Sequence, residues 1–191
     1  MALRYNHNDR QSGTNSFITG RSTSNQRIER LWDSLSAWCI QFWRHLFRHM
    51  RDHGILRETD PVHIESLRFC FMPLIQKQLD NFVHIWNLHR IRSQRNTETF
   101  SGIPNIMFYQ PETFGAQDCS VMLPCSIETI ERVSNDLILR YPEFGCRYEF
   151  MDVIEVLTGT MRHDFPFPNT VDDVLVLFYH LTRTLDSMFQ T

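Results

Sequence analysis

Little in this chain points to oxidised, membrane or nucleotide-cofactor chemistry. Its five cysteines, Cys39, Cys70, Cys119, Cys125 and Cys146, are odd in number and form no CxxC pair. That pattern argues against a disulfide framework and against a thiolate zinc site, and the simplest reading is reduced, partly buried thiols. No apolar run approaches a membrane span, and the opening MALRYNHNDRQ is too polar for a secretory leader, so the expectation is a soluble intracellular protein with no membrane partner. There is no GxGxxG fingerprint, no GxxxxGK[ST] phosphate loop, no HExxH and no identifiable Ser-His-Asp arrangement, which removes the common sequence signs of dinucleotide, nucleotide, metalloprotease and triad chemistry. No internal repeat is visible.

What is present is a hydrophobic fraction of 42% in 191 residues, enough for one domain, or one domain with an appendage. Charge is divided unevenly. Residues 1 to 95 carry 14 Lys+Arg against 8 Asp+Glu, whereas residues 96 to 191 carry 5 against 14. A basic front half suits contact with a phosphate backbone and an acidic rear half does not, although uneven decoration of solvated faces accounts for the same split.

Apolar periodicity places the elements. Residues 1–15 are polar and aperiodic and read as a flexible arm. Phe17 and Ile18 fit one short strand ending at Gly20. Thr23 and Gln26 stand at capping-box spacing, with Ser22 and Ser24 as other caps. From Ile28 through Leu31, Leu35, Cys39, Phe42, Leu46 and Met50 the spacing predicts one helix running to Gly54. Asp60-Pro61 starts a second helix reaching about Leu88, which Pro73 should kink or divide. Residues 101–126, with Gly102, Pro104, Pro111, Gly115 and Pro124, read as punctuation and hence a linker. Shorter helices follow near Ile127 to Leu139, Tyr148 to Leu157 and Val171 to Met188, the last opened by Thr170 and Asp173.

The run SFITGRSTSNQRIERLW, Ser16 to Trp32, resembles the closing part of a retroviral-integrase-like catalytic core, the DDE recombinase and transposase family. A second stretch, PLIQKQLDNFVHIWNLHRIRSQRN from Pro73 to Asn96, is similar to that family's later helix, where Trp-Asn precedes a His and a basic turn. The resemblance covers roughly residues 13 to 100. It implies a parent fold of the RNase H-like α/β type, of which this chain keeps the C-terminal portion: mainly α, with one or two residual strands and an added acidic helical region at 127–191. It implies that Glu29 matches the last metal-binding acid, with Asn25 one turn earlier on the same face and Arg27 and Arg30 beside it. Three carboxylates holding two Mg2+ or Mn2+ ions would supply the chemistry of DNA strand transfer.

The residues before Glu29 depart from that pattern. They contain a single acid, Asp9, in the polar arm and outside any strand. Glu29 is therefore expected to be vestigial, needing no cofactor as the chain stands. Should upstream coding sequence supply a strand-borne Asp pair, the enzyme reading returns with Glu29 as ligand. Alone, Glu29 also fits an exposed glutamate favoured by the helix dipole.

Arg90, Arg92 and Arg95, beside Trp86 and His89, form the best nucleic-acid candidate, since guanidinium forks match phosphate oxygens. Cations at a helix C-terminus are the structural alternative. Arg44, Arg48 and Arg51 make a second basic stripe and His45, His49 and His53 repeat every four residues, both of which read best as solvated faces. Loss of the family's central strands should uncover the apolar face of the first helix. It would then repack against residues 127 to 188, associate with a second copy or protein partner, or remain marginal. Two functional classes follow: a DNA-associated protein, nuclear by family analogy, or a helical protein-interaction module.

Overall fold

The computed structural model describes residue 13 and residues 26–93, 101–115, 126–137, 143–161 and 164–189. These are mainly helical: α1 (Gln26–Leu35), α2 (Gln41–Asp52), α3 (Pro61–Leu88), α4 (Pro104–Tyr109), α5 (Ile127–Leu137), α6 (Tyr148–Thr158) and α7 (Val171–Phe189). Among the described residues, extended pairing is confined to one antiparallel bridge between Ile91 and Gly102. The strand expected at Phe17 and Ile18, and the caps at Ser22 to Ser24, lie outside the described residues. No described helix is long and apolar enough to cross a membrane.

Local chemistry explains three of the helix ends. Asp60 Oδ1 accepts the Val62 N–H at 2.9 Å and Pro61 takes the first helical position, where a missing N–H costs nothing. At the end of α2, Gly54 adopts φ +70°. Its N–H donates to Arg51 O at 2.9 Å, while the Ile55 N–H reaches Met50 O at 2.8 Å, the paired closure that satisfies the last carbonyls. Thr170 Oγ1 accepts the Asp173 N–H at 3.2 Å, and its hydroxyl donates back to Asp173 Oδ2 at 2.5 Å.

One expectation is refined and two need correction. The predicted single helix from Ile28 keeps helical backbone angles into α2, and within it lies a π-type turn, Ser36–Ile40, in which Gln41 N–H donates to Ser36 O, five residues back. Pro73 does not divide α3, which runs uninterrupted for 28 residues. Proline removes one i→i−4 bond; nearby Phe71 and Leu74 are buried although the adjacent Met72 is exposed, so packing on one face of the helix spans the gap. The stretch read as punctuation contains α4 and a 3-10 turn, Pro111–Phe114. Pro104 and Pro111 each sit at the opening of these elements, so they start helical turns where they were expected to break them.

The chain divides into two units, Met1–Trp32 with Trp86–Arg140, and Asp33–Ile85 with Tyr141–Thr191. In the second unit α3 is the central element. Phe69, Cys70 and Phe71 are consecutive and all buried to 1% exposure or less, which a helix permits only when it is covered on more than one side. The Phe69 ring lies 5.0 Å from Phe165 and 5.1 Å from Phe167, while Phe71 meets Phe47 at 5.2 Å, Trp43 at 6.0 Å and Phe178 at 5.9 Å. Val174, Phe178, Leu181 and Leu185 of α7, with Met151 and Ile154 of α6, belong to the same core as Cys39, Trp43 and Met50. The inner face of the first long helix is thus buried, with Trp43 and Phe47 lying against Phe71 of α3, and it shares one core with residues of α6 and α7. Its outer face remains bare, with Trp38 66% and Phe42 47% exposed.

Polar ties accompany the burial. Trp43 Nε1 donates to Gln78 Oε1 at 2.9 Å. Buried Glu65 accepts the Arg147 N–H at 2.8 Å and pairs with Arg68 at 2.9 Å, which joins α3 to the start of α6. Burial, together with the Glu65 carboxylate, pushes the Cys146 thiol up to about 12, and burial raises that of Cys70 well beyond the ordinary thiol range.

Truncating Phe71→Ala removes a ring shared by three neighbours and should cost about 3–5 kcal/mol of unfolding free energy in a urea titration. Iodoacetamide at alkaline pH should leave Cys70 and Cys146 unmodified in the native protein and alkylate both in denaturant, read by peptide mass spectrometry. Native-state labelling as fast as that of a free thiol would contradict the burial described.

Candidate functional site

Glu29 lies in the first turns of α1 with an exposed side chain. Arg30 is exposed on the same helix and already engaged by a neighbour. Arg27 belongs to the helix, but its side chain lies outside the described set, as do Asn25 and Arg95 altogether. Of the expected grouping, the described residues therefore show only that Arg27, Glu29 and Arg30 share α1.

Arg90 and Arg92 are placed more informatively. Helix α3 ends at Leu88, so neither arginine caps its last turn. They flank Ile91, whose N–H donates to Gly102 O at 2.8 Å and whose carbonyl accepts the Gly102 N–H at 3.1 Å. Extended pairing puts residues two apart on one side of the chain, and both arginines are exposed. An added Cβ at Gly102 would stand 2.8 Å from the Phe114 ring, which would have to shift to admit it. Beside them the His89 and Trp86 rings lie 4.5 Å apart, and His89 Nδ1 contacts the Trp86 carbonyl. Two cations and an aromatic pair thus occur within seven residues, a set that can meet phosphate and stack on a base.

The second basic stripe is solvated. Arg44 and Arg48 are exposed, and Arg51 pairs with Asp52 at 2.9 Å and Glu58 at 3.7 Å. His45 and His49 lie on α2 and His53 follows its last residue; all three are exposed, and the last two rings lie 3.9 Å apart.

Sequence reasoning missed a different cluster. Asp60, His63 and Asp186 each offer a ligand atom, and these atoms lie within 4.8 Å of one another. Asp60 caps α3, His63 follows one turn later, and Asp186 comes from the end of α7. Arg57 bridges the two carboxylates, at 2.8 Å from Asp60 and 2.5 Å from Asp186. Burial alone would raise the Asp60 pKa, but the Val62 N–H and the Arg57 guanidinium outweigh it and hold the carboxyl below its ordinary value. The local signal was the Asp60–His63 spacing of three; Asp186 is too distant in sequence for any motif to have joined it.

A family model described as integrase core domain matches residues 3–108, over half of the 191-residue chain. The match spans α1 to α3 and most of α4. No curated protein and no solved structure matches the chain.

As an exposed residue outside any described cluster, Glu29 should be dispensable for folding. Glu29→Gln is expected to change unfolding free energy by less than about 0.5 kcal/mol in chemical denaturation; a loss several times larger would reveal a structural role.

Proposed function

The chain belongs to the integrase core domain family, and from that premise we propose that it contacts DNA without performing strand transfer itself. The observation that carries this reading is the position of Glu29. Among the described residues the grouping of three metal-capable side chains is Asp60, His63 and Asp186, and Glu29 is not in it. Two-metal phosphoryl transfer needs several carboxylates around ions about 4 Å apart. The described acids do not fit that centre at Glu29, so no step through Mg2+ or Mn2+ is derived. In this reading residues 16–100 are the inherited C-terminal portion of an RNase H-like core. Residues 1–15 are an arm, 101–126 a linker and 127–191 an acidic addition.

Affinity for DNA would come from phosphate neutralisation by Arg90, Arg92 and Arg95, assisted by Asn25, Arg27 and Arg30 at the α1 start. Such contact is sequence-independent and salt-sensitive. A role on DNA would put the protein in the nucleus of a cell that has one. A second reading, a protein-interaction module, draws on the bare Trp38 and Phe42 rings. Large exposed aromatics are enriched where proteins meet.

Fluorescence anisotropy on a labelled duplex should show weak binding that falls steeply with salt. The triple substitution of Arg90, Arg92 and Arg95 to alanine should lower the log–log salt slope by about 2–3, near 0.9 for each phosphate no longer neutralised. Undetectable binding at low salt, or an unchanged slope, would sink the DNA reading, while a protein partner retained by the triple variant would support the second. In an Mg2+ or Mn2+ strand-transfer assay no product is expected. Product that disappears in Glu29→Gln would restore the enzyme reading.

A further inference from the structure

We propose that Asp60, His63 and Asp186 form a binding site for a borderline divalent cation of the Zn2+ class, and that Arg57 occupies the position until the cation displaces it. This site is separate from Glu29 and from the DNA reading.

The donor set suits the chemistry. One imidazole with two carboxylates is a mixed set of the kind zinc accepts in tetrahedral sites, where bonds of about 2.0–2.2 Å put neighbouring ligand atoms about 3.4 Å apart. His63 Nε2 stands 3.7 Å from Asp186 Oδ2, and the three ligand atoms lie within 4.8 Å of one another. Small rotations of the two carboxylates close the difference.

The imidazole supplies the second, independent observation. His63 is only 4% exposed, yet its Nε2 has no hydrogen-bond partner. A buried ring nitrogen left unmatched is costly, and here it is aimed at a carboxylate just beyond hydrogen-bond reach. An open cavity of about 410 Å³ reaches both His63 and Asp186 and is lined also by Arg57, Thr182 and Arg183. It gives a small ion a way in.

Arg57 explains how two carboxylates face one spot without repelling each other apart. Its guanidinium bridges Asp60 and Asp186, and its backbone N–H donates to His63 Nδ1 at 3.3 Å. While that bond stands, the neutral ring carries its proton on Nε2, which then has no lone pair to offer. A cation at Nε2 needs the proton on Nδ1, which breaks the contact with the Arg57 N–H. Side chain and backbone of one residue therefore leave together. The Arg57 side chain is 45% exposed, so solvent receives it readily.

The test is calorimetric titration of the full chain with Zn2+ alone, repeated with Co2+ to read tetrahedral d–d absorption. One ion per chain is expected. His63→Gln and Asp186→Asn should each weaken binding at least tenfold, and Asp186→Asn keeps the test open if the buried His63 variant fails to fold. Arg57→Ala should bind more tightly, the opposite of what a purely structural arginine predicts. His49→Gln, which removes one of the two stacked rings at the end of α2, should leave binding unchanged. Absence of stoichiometric binding, loss of binding in His49→Gln, or no gain in Arg57→Ala would each overturn the assignment.

Discussion

The second unit depends on one constraint: α3 must be covered on more than one side. Phe69, Cys70 and Phe71 are adjacent in sequence, so their side chains fan over most of a helical turn. Each needs a separate neighbour to exclude water. Phe165 and Phe167 serve Phe69, whereas Trp43, Phe47 and Phe178 serve Phe71. Because those neighbours come from both ends of the chain, burying α3 also fixes where α2, α6 and α7 must lie. The polar contacts follow from that packing. Glu65 can be buried because the start of α6 brings it the Arg147 N–H, and Gln78 serves Trp43 because α2 already lies alongside.

Much of this was legible because helices announce themselves locally. Asp60-Pro61, Gly54 and the Thr170–Asp173 pair act within a few residues of their own positions, so reading caps placed the starts of α3 and α7 and the end of α2. The misses have different causes. The missing hydrogen bond of Pro73 argues for a break, whereas packing beside it accompanies an unbroken helix. Pro104 and Pro111 start helical turns, a local role that their grouping with glycines hides. The Asp60, His63 and Asp186 grouping joins residues more than a hundred positions apart, and only tertiary structure brings them together. The π-type turn at Ser36–Ile40 has no sequence mark that periodicity would register.

The matched region and the buried core of the second unit overlap without coinciding. The matched region, residues 3–108, contains the helix bearing Glu29 and the whole of α3. Yet α3 now takes much of its cover from residues beyond the match, Met151, Ile154, Val174 and Phe178 among them. Glu29 and the arginines around Ile91 fall in the first unit, while the aromatic core and the Arg57 cluster fall in the second. The matched region thus contributes to both units.

The division into units has a kinetic consequence. The second unit is assembled from residues 33–85 and 141–191, with residues 86–140 assigned elsewhere. Closing that excursion carries an entropic cost of about 3–4 kcal/mol before any interaction between the two stretches repays it. During synthesis the wait is also a matter of time. About a hundred residues separate Phe71 from Phe178, so at roughly 5–20 residues per second the ribosome leaves one flank of α3 uncovered for roughly 5–20 s. A nascent chain with one flank of aromatic surface bare for that interval is a natural client for chaperones that hold apolar segments until the C-terminal helices arrive.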